Sequence, residues 1–332
     1  MQLYQQMGQS WGCRIARRCY RRGVHIDGGG GKSGSGASSA GGAGPASGAS
    51  TAGGAGPASG ASTATGAPAA RASGTAHQLK WPSALWIVRH GESAGNVARD
   101  AAEAQGLDRI TIEAQRDVDV PLSARGEQQA AALGRWIAGQ PEAQRPTAAI
   151  CSPYLRARGT TEIALREAGL AHLPLVVDER LREREFGVLD RLTRRGIEKN
   201  FPDQAGLRRA LGKFYHRPPG GESWCDVILR LRSVIDTLTR ERRGERILIV
   251  CHSVVVLCFR YLLEEMTEEQ ILAIDREHDV ANCSLTAYEL GRAPPGQEHA
   301  NRMQLRTFNF VAPLEEQGAP ITDKPDVALA IK

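Results

Sequence analysis

The sequence predicts a three-layer α/β/α sandwich around a mostly parallel central sheet, preceded by a disordered low-complexity N-terminal segment. Three observations carry this expectation. Apolar runs at 85–88, 147–151 and 246–251 have the unbroken character of strands buried on both faces of a parallel sheet. Amphipathic helical patterns lie between those runs, and alternation of strand with helix is the pattern of a layered α/β fold. Residues 28–75 are almost entirely Gly, Ala, Ser, Pro and Thr. Such a stretch has little side chain to bury and cannot offset the entropy of ordering its backbone.

Within that stretch, Gly-Gly-Ala-Gly-Pro-Ala-Ser-Gly-Ala-Ser-Thr-Ala occurs twice, starting at Gly41 and Gly53. The repeat carries no apolar pattern, so it reads as a flexible linker rather than a solenoid. The expected organisation is a basic arm and linker over 1–80, one catalytic domain over 81–312 and a C-terminal tail over 313–332. The first strand, Leu85 to Val88, runs into Arg89-His90-Gly91-Glu92-Ser93, where Gly91 permits a tight turn and Ser93 can cap the next helix. Ser123 opens an amphipathic helix through Ala130, Leu133, Trp136 and Ile137. The second strand ends in Ser152-Pro153; Pro153 suits the first turn of a helix capped by Ser152, and that helix carries Arg156. Apolar residues at Val227, Leu231, Val234, Ile235 and Leu238 predict a surface helix over 224–243. The third strand, ending at Cys251, delivers His252-Ser253 to an apolar helix over 254–263.

The 332 residues carry a net charge of +5, but the charge is unevenly divided. Residues 1–80 hold eight Lys and Arg against one acid, Asp27, leaving 34 basic and 36 acidic residues in the remainder. The predicted domain is therefore near neutral, which does not support a nucleic-acid surface. No run approaches the ~20 apolar residues of a membrane helix. The seven cysteines are scattered with no Cys-x-x-Cys pair, arguing against a zinc site or a disulfide framework and fitting a reducing, cytoplasmic setting. The Arg-rich, acid-poor first 26 residues also resemble an organellar transit peptide. A disordered basic arm, or an upstream extension of the true start, are the other readings.

At each of the three strand ends stands an Arg or a His: Arg89 and His90, Arg156 just beyond the second, His252 after the third. Ligands of open α/β sheets bind at that carboxyl edge, where helix N-termini favour an anion. Two Arg and two His at one edge would repel one another unless a multiply charged anion lay between them. Phosphate is the expected ligand, since the arginine fork matches its oxygens in pairs.

Arg89-His90-Gly91-Glu92 with Asn96 resembles the signature of the histidine phosphatase superfamily, also called phosphoglycerate mutase-like. The resemblance continues in order through Pro121 to Gly126, Ser152 to Thr161, Leu181 to Gly187, Pro219 to Ser223 and Val250 to Ser253, covering residues 84–290. It implies metal-independent hydrolysis of a phosphate monoester through a phosphohistidine on His90, with no cofactor. It further implies that Arg89, Arg156 and His252 hold the phosphoryl oxygens, with Asn96 assisting. Glu183 matches the family's acid/base residue, with Glu185 as its rival two positions on. Arg217 resembles a substrate-contacting Arg of the family's bisphosphatase members. The other six histidines are assigned no role.

The chemistry makes separate sense of these residue types. A neutral imidazole is nucleophilic and splits one displacement into two. Fixed cations stabilise a phosphoryl group in flight, and a shielded carboxyl can protonate the leaving oxygen. Ser253 and the block Val188 to Leu192 depart from the common family pattern and leave the substrate open. A phosphorylated small molecule is the expected partner. A phosphoglycerate mutase, sharing every catalytic group, and a non-catalytic phospho-ligand binder are the alternatives. Oligomeric state is not legible.

Overall fold

A computed structural model describes residues 81–291 and 302–323. The basic arm and linker expected over 1–80 lie outside the described residues. Six strands form one sheet: β1 (Ala84–Arg89), β2 (Ala148–Cys151), β3 (Leu175–Val177), β4 (Arg246–Cys251), β5 (Leu285–Leu290) and β6 (Met303–Phe310). Their order across the sheet is β3-β2-β4-β1-β5-β6. The first four are mutually parallel, and β5 and β6 add an antiparallel edge. The expected α/β/α sandwich with a mostly parallel sheet is what forms.

Two cores explain why the predicted strands read as unbroken apolar runs. Leu85 and Ile87 of β1 point to one face, with Ile247 and Ile249 of β4. That face is covered by α6 (Trp224–Glu241) and α7 (Ser253–Leu263), through Leu231, Val234, Val255 and Phe259. Trp86 and Val88 point to the other face with Leu248 and Val250, under α2 (Ala124–Ala138) and α3 (Leu155–Glu167), through Leu133, Trp136, Ala157 and Leu165. Alternate residues of one strand feed opposite cores, so no position is left for a polar side chain until the strand ends. Emptying either core is costly: Ile87→Ala would remove a fully buried side chain, a change worth ~2–5 kcal/mol.

The remaining helices are α1 (Ala94–Ala104), α4 (Arg194–Asn200), α5 (Pro202–Tyr215), α8 (Glu268–Glu277) and α9 (Ala312–Glu315). The predicted caps at Ser93 and Ser123 are present, accepting from the Asn96 and Gly126 amides. Ser152 does not cap α3. The helix starts at Leu155 with Tyr154 at the cap position and no side-chain bond there, and Ser152 accepts instead from the Tyr154 amide at 3.3 Å. The chain from 313 to 323, beyond the expected domain boundary, packs against α2, with Pro313 and Leu314 buried and Leu314 clustered with Ala130 and Ala132. None of the helices among the described residues is long and apolar enough to cross a membrane.

Candidate active site at the carboxyl edge of the sheet

The register puts three chain segments side by side. Arg89 pairs with Cys251 and Cys151 with Val250, so β2, β4 and β1 end at one level. The pairing runs one residue further on each side, with His90 N–H donating to the Cys251 carbonyl at 2.9 Å and Ser152 N–H to the Val250 carbonyl at 3.0 Å. His90, Ser152 and His252 therefore emerge together. Two glycines let α2 close over this loop. A Cβ on Gly91 would stand 2.6 Å from the Gly126 carbonyl oxygen, and one on Gly126 would collide with the Glu92 carbonyl. Only hydrogen fits at either position.

His90 is fully buried and its tautomer is set by its neighbours. Nδ1 lies 2.7 Å from the Gly91 carbonyl oxygen, which can only accept, so Nδ1 carries the proton. Nε2 accepts from Arg156 Nε at 3.3 Å, so it is the ring nitrogen without a proton. The His252 ring stands edge-on at 5.1 Å between centroids. His252 Nε2 is 2.8 Å from Ser152 Oγ, while its Nδ1 is 3.7 Å from Glu183 Oε2, too far for a hydrogen bond. Ser152 thus serves the second histidine rather than the helix. Tyr154 packs beside His252 at 4.9 Å, with the Arg156 guanidinium 4.7 Å from its ring centroid.

The cations are held by fixed acceptors. Arg89 Nη1 donates to the Val280 carbonyl at 2.5 Å. Arg156 forms a fork with Asp117, donating from Nη1 at 3.1 Å and Nη2 at 3.0 Å, and also reaches the Asp117 carbonyl. Asp117 was not singled out in the sequence; it opens a single 3-10 turn, Asp117–Asp119, too short to leave a periodic pattern. Glu183 is buried, with Oε1 accepting from the Arg184 amide at 2.8 Å. Glu185, the rival, is exposed and accepts from the Tyr154 hydroxyl at 3.0 Å. The Tyr154 phenol is held well above its usual range by burial, then by the nearby Glu185 and Asp117 charges. Burial and Asp117 likewise raise the Asp190 carboxyl.

Asn96 is buried, and its Oδ1 accepts from the Ser93 amide and hydroxyl, both at 2.9 Å, closing the capping box of α1. Arg217 stands apart from this cluster in an exposed fork on Asp226 of α6. Glu222 binds Arg182 at 2.7 Å and Arg230 at 3.0 Å and accepts from the Glu185 amide. It thereby fastens the segment carrying Glu183.

A second cationic group lies behind Glu183. Arg184 donates to the Glu222 carbonyl at 2.6 Å and the His216 carbonyl at 3.1 Å. Burial, then the neighbouring Arg208, lowers Arg184 to about 10. Burial lowers Arg208 to about 10 as well, and Asp275 opposes that shift. Lys213, bound to Asp275, is lowered by burial and by both arginines. His216 is lowered by burial, then by Arg208 and Arg184.

Two imidazoles and two arginines, gathered at helix N-termini beside a buried carboxyl, form an arrangement suited to holding a phosphoryl group. The chain belongs to the histidine phosphatase superfamily, branch 1, whose profile matches residues 85–303. It is an enzyme of that phosphatase class, whose members work through a phosphohistidine. The chain is 32% identical over 189 residues to a 6-phosphofructo-2-kinase/fructose-2,6-bisphosphatase of Aquarana catesbeiana, covering 57% of this chain and 34% of that protein. It is 29% identical over 208 residues to the Homo sapiens 6-phosphofructo-2-kinase/fructose-2,6-bisphosphatase 3, covering 62% and 35%. The chain thus spans about a third of the length of these curated relatives. Among solved structures, Bacillus stearothermophilus YhfR aligns at a TM-score of 0.55 and 24% identity over 70% of this chain and 98% of that one. A mycobacterial glucosyl-3-phosphoglycerate phosphatase aligns at 0.51 and 23% over 69% and 99%. Both show the fold.

Proposed function

We propose that the chain hydrolyses a phosphate ester of a small molecule that carries a second anionic group, a sugar bisphosphate of the fructose-2,6-bisphosphate kind. The observation that carries the reading is His90 Nε2, its lone pair bare of a proton and 3.3 Å from Arg156 Nε, in ring contact with His252. Nε2 attacks phosphorus as the ester P–O bond breaks, and the leaving oxygen takes a proton from Glu183. Water then attacks the phosphohistidine, gives its proton to the Glu183 carboxylate and releases phosphate with His90 neutral again. Arg89, Arg156 and His252 hold the phosphoryl oxygens, and Asn96 adds an amide to the same pocket. For Arg156 this requires exchange of the Asp117 carboxylate for phosphate. Glu183 rather than Glu185 is taken as the acid because its carboxyl is buried and shielded from water, whereas Glu185 is exposed.

The second anion is argued from Arg184, Arg208 and Lys213. Three cations lowered by burial, with Arg208 adding to the shift of the other two, are costly to hold beside the single Asp275, and an anionic substrate group would offset that cost. The names of the curated relatives agree with a bisphosphate. The test is a release assay across phosphate esters in the presence of chelator, with fructose-2,6-bisphosphate, simple monoesters and 3-phosphoglycerate. Free phosphate from the bisphosphate with a kcat/KM at least ~tenfold above the monoesters is expected, and His90→Ala should lose essentially all turnover while keeping its melting temperature. Conversion of 3-phosphoglycerate to its isomer without phosphate release, or an active His90→Ala protein, would sink the reading.

A further inference from the structure

The loop that carries the nucleophile is held by side chains that belong to distant parts of the chain. Asn282 Nδ2 donates to the His90 carbonyl at 2.9 Å, and Gln129 Oε1 accepts from the Glu92 amide at 2.8 Å. Both side chains are buried, at 1% and 0% exposure, so neither has water as a substitute partner. Their outer ends meet at one hydroxyl. Gln129 Nε2 donates to Thr322 Oγ1 at 2.8 Å, and Thr322 Oγ1 donates to Asn282 Oδ1 at 2.9 Å. The backbone fixes the same contact, with Asn282 N–H on the Thr322 carbonyl at 2.8 Å and Gln129 Nε2 on the Pro320 carbonyl at 2.9 Å.

The directions of these bonds are forced. The His90 carbonyl can only accept, so Asn282 must turn its amide nitrogen inward and its oxygen toward 322. The Glu92 N–H can only donate, so Gln129 must turn its oxygen inward and its nitrogen toward 322. Position 322 must then accept from one amide and donate to the other through a single atom, which a hydroxyl does and a methyl cannot. Loss of that atom would strip the buried Asn282 oxygen of its Thr322 donor and leave Gln129 Nε2 with the Pro320 carbonyl alone, loosening both amides that hold the nucleophile loop.

We infer that Thr322 is a positioning residue for the histidine nucleophile: it clasps Asn282 and Gln129, and through them holds His90 and Glu92 at the angle at which His90 Nε2 faces the phosphate. The inference rests on the proposed role of His90. A misplaced nucleophile costs rate and analogue binding far more than ground-state binding. The experiment compares full-length wild type, Thr322→Val and Thr322→Ser. It reads orthovanadate affinity by calorimetry, kcat and KM on the best ester, and melting temperature. Thr322→Val should bind orthovanadate about tenfold more weakly and lose about tenfold in kcat with KM little changed, and Thr322→Ser should recover both. Wild-type vanadate affinity and kcat in Thr322→Val would overturn the clasp. So would a lowered melting temperature with kinetics intact, or a loss that Thr322→Ser does not recover. A wild type that binds vanadate but releases no phosphate from any ester would instead count against the proposed reaction. The vanadate arm still decides the clasp in that case.

Discussion

The two groups of cations in this chain are built on different plans. At the carboxyl edge of the sheet, Arg89 and Arg156 are each given a fixed acceptor, the Val280 carbonyl and Asp117, and His252 is paired with the Ser152 hydroxyl. Behind Glu183, Arg184, Arg208 and Lys213 crowd one another, and burial drives the arginines down to about 10. The first plan is preorganisation, in which side chains are pointed before the substrate arrives and little reorganisation is left for the reaction. The second is stored desolvation, which in the proposed reaction an arriving anion would relieve. In the proposed reaction the edge group acts on the reacting phosphoryl and the rear group on the remainder of the substrate. The two should therefore separate in kinetics, one in kcat and the other in KM.

The largest effect that tests this division is at the carboxyl between the groups. Glu183→Gln should lower kcat by roughly 10²–10³-fold, the usual scale for a lost general acid, with the melting temperature nearly kept. Glu185→Gln should leave kcat within about threefold, since its carboxylate is exposed and bound to the Tyr154 hydroxyl. Steady-state assays on the same ester decide it. A larger loss in Glu185→Gln would transfer the acid role and move the boundary between the two groups.

A smaller effect is expected at the rear. Arg208→Met should raise KM for a bisphosphorylated ester about tenfold, the scale of one charge-assisted hydrogen bond, with kcat little changed. The same variant should leave simple monoesters unaffected. It should also melt higher than wild type, because the depressed pKa means the fold disfavours the charged guanidinium relative to the unfolded chain. A KM rise shared equally by monoesters and bisphosphates would merge the two groups into one site.

The contrast also explains what the sequence could disclose. Strand ends are legible because an apolar run buried on both faces must stop where the first polar side chain appears, and His90, Arg89 and His252 stand at such stops. Arg156 follows from the helix after β2, although the cap assigned to Ser152 was misplaced. That serine faces His252 across the sheet edge, a contact between residues 100 positions apart. Arg208 and Lys213 lie on α5, where their pattern is that of any solvated helix face, and only tertiary packing buries them. Asp117 and Thr322 had no local signal at all. Their meaning comes from partners 39 and 40 residues distant.

The smallest effect belongs to Arg217, and it tests whether the edge and rear groups account for substrate contact between them. Resemblance gave this residue a place at the substrate, yet the chain turns it outward onto Asp226 while its neighbour His216 turns in beside Arg208 and Arg184. The Asp226 carboxyl is held well below its usual range by Arg217, and also by the Ser223 cap, so part of its stabilisation survives without the arginine. The guanidinium is exposed, and exposed pairs contribute little once solvent and salt screen them. Arg217→Ala should therefore change KM by less than about twofold for any ester and move the melting temperature only slightly. Its Asp226 partner keeps the Ser223 amide and hydroxyl, at 2.8 Å and 2.6 Å, so α6 should start at the same residue. A KM rise as large as that of Arg208→Met, confined to bisphosphates, would mean that Arg217 leaves Asp226 for the substrate. The rear group would then extend to the protein surface, and recognition of the second anion would begin outside the buried cluster.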